Sequence, residues 1–180
     1  ETLTSERPLP EHAYPTQQTE NTPRTLRLGF KSGELVSIDG RVDAPQVLIQ
    51  DLEKIAGPYG IGRDIHVGDT IIGIKGRVGF EAAAALLTIK AHHLLEKHTL
   101  SKWQQFQKEQ IGNFYGMLLH EGQYLDPVMR NLEAFLIDSQ KAVEGTVIVT
   151  LHPYRFTLDG VDSPNDLMRS SFGSYGEENK

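Results

Sequence analysis

Cysteine is absent from the sequence, which excludes disulfide frameworks, cysteine-ligated zinc and thiol nucleophiles. Long apolar runs are missing too. The stretch from Ala82 to Ile89 is among the longest, and a membrane-spanning helix needs about 20 such residues. No basic start followed by an apolar run opens the chain, so no signal-peptide pattern is visible. Positive charge is neither abundant nor clustered. A net charge of −6 without a dense Lys/Arg block argues against a nucleic-acid binder, whose affinity rests on massed positive charge. These features together suit a cytoplasmic location.

What is present reads as ordinary globular protein. Hydrophobic residues make up 38% and charged residues 23% of 180 positions. That length fits one domain, or one domain with an arm, and a chain of this size hides roughly two-thirds of its unfolded surface. Residues 1–25 hold Pro8, Pro10, Pro15 and Pro23, which block helix, so this part is expected to be an extended arm. It is either a free linker or a strap that packs along another domain. Tyr14 and His12 are unusual for a linker.

Residues 26–180 form the domain proper. Leu26, Leu28 and Phe30 alternate with polar residues, the pattern of a half-buried strand. The turn Lys31-Ser32-Gly33 leads to a second strand through Leu35, Val36 and Ile38, closed by Asp39-Gly40, a β-hairpin signal. Pro45 opens a helix with Val47, Leu48, Leu52 and Ile55 on one face, and Gly57-Pro58 stops it. A glycine-rich loop spans 59–62. Short strands are predicted around Ile65 and Val67 and over Thr70–Lys75, with Gly76 and Gly79 breaking the regularity. An alanine-rich helix is predicted over Glu81–Lys97. Ser101 caps a long helix to His120, with Trp103, Phe106 and Tyr115 expected in the core. Asp126-Pro127 starts another, carrying Met129, Leu132, Phe135 and Leu136. Val147, Val149 and Leu151 alternate as a strand. Pro153-Tyr154 turns it into a partner with Phe156 and Leu158, and Asp159-Gly160 ends that partner. Ser163-Pro164 begins a short helix, and the tail from Ser170 is expected to be loose. The layout predicts an α+β fold, a mixed sheet edged by two hairpins and packed against three main helices.

Chemical motifs are few. Gly60-Ile61-Gly62-Arg63 lacks the third glycine of a dinucleotide fingerprint, because Ile65 stands there. Gly73-Ile74-Lys75-Gly76-Arg77 is not a P-loop, although a glycine flanked by cations can face an anion. A strand-end turn with solvated charges is the plainer alternative. His92, His93 and His98 do not stand at the i, i+3 or i+4 spacing that a helical zinc site uses. With Lys90 and Lys97 they read as a polar face or an interface patch. G-x-S-x-G is missing, and no spacing selects a catalytic carboxylate pair.

The order of several motifs carries more. Gly60-Ile61-Gly62-Arg63, then Gly73-Ile74-Lys75-Gly76-Arg77, then Phe80-Glu81 resembles the glycine-rich loop and strand pair in the C-terminal region of argininosuccinate synthases. Ala91-His92, Tyr124 with Asp126-Pro127, the run Ser139 to Val147, and Ser163-Pro164 with Leu167 continue the resemblance. Ala13-Tyr14-Pro15, Thr22-Pro23 and Phe30 extend it into the arm.

The resemblance implies a ligase that joins citrulline and aspartate while ATP is cleaved to AMP and pyrophosphate. The ureido oxygen attacks the α-phosphate, and the aspartate amine then displaces AMP. It also implies that ATP, with Mg, is held mainly by an N-terminal domain whose Ser-Gly-Gly-x-Asp-Thr-Ser loop has no counterpart here. No cofactor is then expected on this chain alone. Family members are typically homotetramers helped by a C-terminal helix, and this chain is expected to stop before it. A piece without the nucleotide-binding domain is expected to be inactive alone. Both ends, Glu1 without a Met and the polar Gly176–Lys180, are expected to lie inside a longer polypeptide.

One departure bears on substrate. Where the better-known branch has a glutamate and, twelve residues on, a tyrosine that hold the citrulline amino-acid end, this chain has Gly68 and Phe80. A carboxylate there pairs with the substrate α-ammonium. Without it an N-acylated citrulline, which has no free ammonium, becomes the expected acceptor. If the acyl group is succinyl, Lys75, Arg77 or His66 would meet its added carboxylate. Ordinary citrulline held by other residues stays open. So does a different class of role, a non-catalytic oligomerisation or binding module using the Ser101–His120 helix.

Overall fold

The structure is a computed structural model that describes residues 5–169. The tail beginning at Ser170 lies outside the described residues. Five strands form the main sheet: β1 (Arg24–Lys31), β2 (Glu34–Ile38), β3 (Arg41–Val42), β6 (Gly145–His152) and β7 (Arg155–Asp162), in the order β3-β2-β1-β6-β7. Between β3 and β6 the chain builds α1 (Pro45–Ala56), a separate two-stranded hairpin of β4 (Arg63–Asp69) and β5 (Lys75–Glu81), then α2 (Ala83–Thr99), α3 (Lys102–His120) and α4 (Pro127–Ser139). The α+β class is as expected. Among the described residues every strand pairing is antiparallel, so the sheet is not mixed, and there are four α-helices rather than three.

The β1–β2 hairpin and the further turn from β2 to β3, where the hairpin is expected to end, follow from their residues. Ser32-Gly33 and Asp39-Gly40 both place two residues at positive φ, which matches the right-handed twist of the flanking strands. Alternation then sorts the faces. Leu26, Leu28 and Phe30 point with Val147, Val149 and Leu151 into one core, beneath Leu48, Leu52 and Ala56 of α1 and Leu87, Ala91 and Leu95 of α2. The opposite face is polar; there the Thr25 and Thr150 hydroxyls meet at 2.9 Å. An antiparallel sheet that is covered on one side only shows this alternation.

Both expected helix caps are present. Ser101 accepts from the Gln104 N–H at 3.3 Å while the Gln104 side chain accepts from the Ser101 N–H, a reciprocal capping box. Asp126 accepts from the Val128 N–H, with Pro127 in the first turn.

Four expectations need correction. Residues 70–74 are the turn between β4 and β5, not a strand: Thr70 and Ile74 pair through both backbone and hydroxyl, and Gly73 is left-handed. Gly76 and Gly79 therefore lie within β5. The alanine-rich helix starts at Ala83, because Glu81 is still paired to Arg63 in the hairpin. Strand β7 continues through Asp159-Gly160 to Asp162, absorbing a bulge opposite Ile148/Val149. Among the described residues, a single turn of 3₁₀-helix, Leu167–Arg169, stands where a short helix is expected after Ser163-Pro164.

The largest difference concerns α3. Among the described residues this helix has no buried side chain. Trp103 is 69% exposed and Phe106 55%. Trp103 and Phe106, expected in the core, are uncovered, and Tyr115 is half-buried and donates to Glu133 of α4, because α3 packs mainly on α4 and not on the sheet.

Candidate functional site

Hairpin β4–β5 stands outside the main sheet, and none of its residues, among those described, joins the hydrophobic core. Its register sets which residues share a face. Gly68 lies opposite Gly76, His66 opposite Val78 and Asp64 opposite Phe80. Directly paired residues in an antiparallel ladder project to the same side, and neighbours along a strand to opposite sides. One face therefore carries Asp64, His66, Gly68, Gly76, Val78 and Phe80. The other carries Arg63, Ile65, Val67, Asp69, Lys75, Arg77, Gly79 and Glu81.

The second face is the one the N-terminal arm covers. The Arg7 carbonyl accepts from Arg77 at 3.1 Å. The Leu9 side chain lies 2.8 Å from where a Cβ on Gly79 would stand. Arg63 donates to Glu11 at 2.5 Å and to the Thr16 carbonyl at 2.6 Å. Beyond the hairpin the arm continues along the turn at 57–60, where Thr19 and Glu20 donate to the Pro58 carbonyl. The arm is thus a strap on this chain's own hairpin rather than a free linker.

The first face is open. Phe80 is 42% and Val78 60% exposed. The facing pair Gly68 and Gly76 makes a bare step where backbone is approachable. His66 leans over it: a Cβ on Gly68 would sit 2.7 Å from the His66 Nε2. Gly68 and Phe80 share this face, separated by roughly 13 Å along the strands. Lys75 and Arg77 do not share it. Lys75 is paired with Asp69, and Arg77 is held by the arm. The anion-site expectation for Gly73 to Arg77 therefore meets two engaged cations. Among the described residues, no three His, Asp or Glu side chains converge as metal ligands.

Sequence reasoning missed a second polar centre, where α2, α3 and the turn after α4 meet. Glu96, 4% exposed, accepts from Lys108 at 3.0 and 3.1 Å and from the Gln140 amide at 2.8 Å. With its nitrogen on Glu96, Gln140 turns its oxygen to His92 Nε2 at 2.7 Å. His92 must then be the donor in that bond. The i, i+4 spacing of His92 and Glu96 was the available signal. A cleft of about 560 Å³ opens above this network between Gly33, Lys108 and Ile137.

Burial pushes the His92 imidazole below its ordinary value of 6.5, more than Glu96 and the Gln140 bond pull it up. Because the unfolded chain binds the extra proton more readily, stability is present above pH 6.5 and is lost as pH falls from there toward the folded value. Thermal melts between about pH 7.5 and 5.5 should show this loss, and His92→Gln, which keeps a donor but cannot titrate, should reduce it. An identical pH slope in the variant would remove His92 from the account.

A five-stranded antiparallel sheet covered by helices, with a two-faced hairpin set outside it, defines an α+β domain. The model of the arginosuccinate synthase C-terminal domain matches residues 6–180, and the chain belongs to that family. It is 35% identical to an argininosuccinate synthase of Dehalococcoides mccartyi, over 93% of this chain and 42% of that protein. Identity to the argininosuccinate synthase of Dictyoglomus turgidum is 37% over 92% and 42%, and to that of Xylella fastidiosa 37% over 88% and 38%. The chain thus spans well under half the length of these relatives.

Proposed function

We propose that this chain is the acceptor-binding part of an argininosuccinate synthase, an AMP-forming ligase of arginine biosynthesis that joins aspartate to citrulline or an N-acylated citrulline. The observation that carries the reading is the open face of β4–β5, with the glycine step and Phe80 on one side and the arm strapped to the other. ATP and its Mg are assigned to the protein's own N-terminal domain, since the cations of Gly73 to Arg77 are already engaged. Residues 5–23 run from Arg77 toward the base of the hairpin. Arg7, held by Arg77, lies near the turn that exposes Ile71, Ile72 and Ile74 at 106%, 78% and 61%. An N-terminal domain entering there can cover those isoleucines and close the open face into a pocket. The working form is a cytoplasmic homotetramer. Among the described residues no helix is long and apolar enough to cross a membrane.

The substrate reading favours an N-acylated acceptor. The open face offers no carboxylate at Gly68 for an α-ammonium, and the His66 imidazole takes up the neighbouring space. With Lys75 and Arg77 on the far face, His66 is the group placed to meet a polar atom of the acyl unit. The test is pyrophosphate release by the protein with its upstream half, given ATP, aspartate and each of citrulline, N-acetylcitrulline and N-succinylcitrulline. Acyl acceptors should turn over faster. Best turnover on free citrulline would reject acylation, and no acceptor-dependent release would reject the ligase.

The uncovered aromatic face of α3 favours a second reading, that of an oligomerisation module. Association on concentration that Phe106→Ser abolishes, with no acceptor binding, would support it instead.

A further inference from the structure

The geometry points to Arg63 as the positioning residue of the acceptor wall: it fastens the arm across the base of β4–β5 and so fixes how the hairpin is presented. This rests on the reading of the hairpin's open face as that wall. Arg63 is the first residue of β4, and its side chain is only 8% exposed. Three separate parts of the chain converge on its guanidinium. From the hairpin, Glu81, paired directly opposite and 4% exposed at its side chain, accepts from Nε at 3.4 Å. From the arm come the Glu11 carboxylate, the Thr16 carbonyl and the Tyr14 ring, whose centroid lies 4.4 Å away. From the β6–β7 turn comes the Tyr154 ring at 5.8 Å, and the Tyr154 hydroxyl reaches Glu11 at 3.4 Å.

Arginine suits this place for physical reasons. Its planar fork donates in several directions while its face stacks on an aromatic ring, which an ammonium cannot do. Burial works against its charge, but Glu11 and Glu81 more than offset that and hold its pKa above the ordinary value. The cation is permanent. The hairpin contributes nothing to the core, so its angle to the body is set at its base and by the arm. Arg63 takes part in both supports, through Glu81 at the base and through Glu11, Tyr14 and Thr16 of the arm.

The test uses Arg63→Lys, which keeps one ion pair and loses the fork and the stack, and Glu11→Gln, which breaks only the arm side at an exposed carboxylate. Hydrogen exchange on this chain should show faster exchange over residues 7–20 and 64–80 in both. In the protein with its upstream half, Arg63→Lys should raise the acceptor KM about tenfold while kcat and the KM for ATP stay within about threefold, since a small misplacement of a binding wall acts on positioning. The double variant should be no worse than Arg63→Lys alone, because both changes open one clamp. Unchanged exchange in Arg63→Lys would overturn the clamp. Faster exchange with an unchanged acceptor KM, or a uniform fall in kcat alone, would overturn the positioning role. A wild-type protein that releases no pyrophosphate would instead overturn the ligase reading, and the exchange data would still decide the clamp.

Discussion

Gly62→Ala is expected to destabilise the protein by about 3 kcal/mol, from a left-handed backbone and a steric clash together. Gly62 has φ +82°, and a Cβ there would lie 2.4 Å from the Ala83 nitrogen and 2.5 Å from the Ala82 carbonyl carbon. Those are backbone atoms at the start of α2, so no rotamer change relieves the contact. The same spot closes the hairpin base, where the Ala82 N–H donates to the Gly62 carbonyl at 2.9 Å. Since a domain holds only about 5–15 kcal/mol in total, the loss should be plain in a urea titration. Gly73→Ala is the control. It has nearly the same φ, +81°, but open space around a new Cβ, so it should cost only the backbone part, about 1–2 kcal/mol. Equal costs for the two variants would show that the clash at Gly62 is relieved.

Glu96→Ala is expected to cost about 3–5 kcal/mol, the range for removing one partner of a buried ion pair. Lys108, 17% exposed at its side chain, would keep its charge with no carboxylate beside it. The Gln140 amide would lose an acceptor, and with it the bond that orients Gln140 toward His92. These groups join α3 and the end of α4 to α2, so hydrogen exchange should rise in α3 and α4 before it rises in the main sheet. The double variant Glu96→Leu with Lys108→Met leaves no buried charge, and buried pairs replaced by apolar residues are often near neutral. It should recover most of the loss. A double variant as unstable as Glu96→Ala would show that packing, not the orphaned charge, dominates.

Legibility differed from element to element. The edging hairpins could be read because alternation and the turns at Ser32-Gly33 and Pro153-Tyr154 act over a few residues. The caps at Ser101 and Asp126 are equally local. The turn at 70–74 was misread because Ile71, Ile72 and Ile74 carry β propensity, which reflects packing on a sheet face that is absent there. That error hid the register of β4–β5. A one-residue change in register moves every side chain to the other face, so no reading of the sequence placed Lys75 and Arg77 opposite Gly68 and Phe80. The α3 aromatics were misplaced for a related reason, since composition gives a helix an apolar face without saying what covers it.

The residues by themselves determined the family, the α+β class and the first hairpin, because each depends on identity or on neighbours within a few positions. Tertiary structure alone decided which face of β4–β5 the arm takes, what gathers at Arg63 and how Glu96 is paired. Those contacts join groups up to 143 positions apart, as Glu11 and Tyr154 are, and only packing brings such groups together.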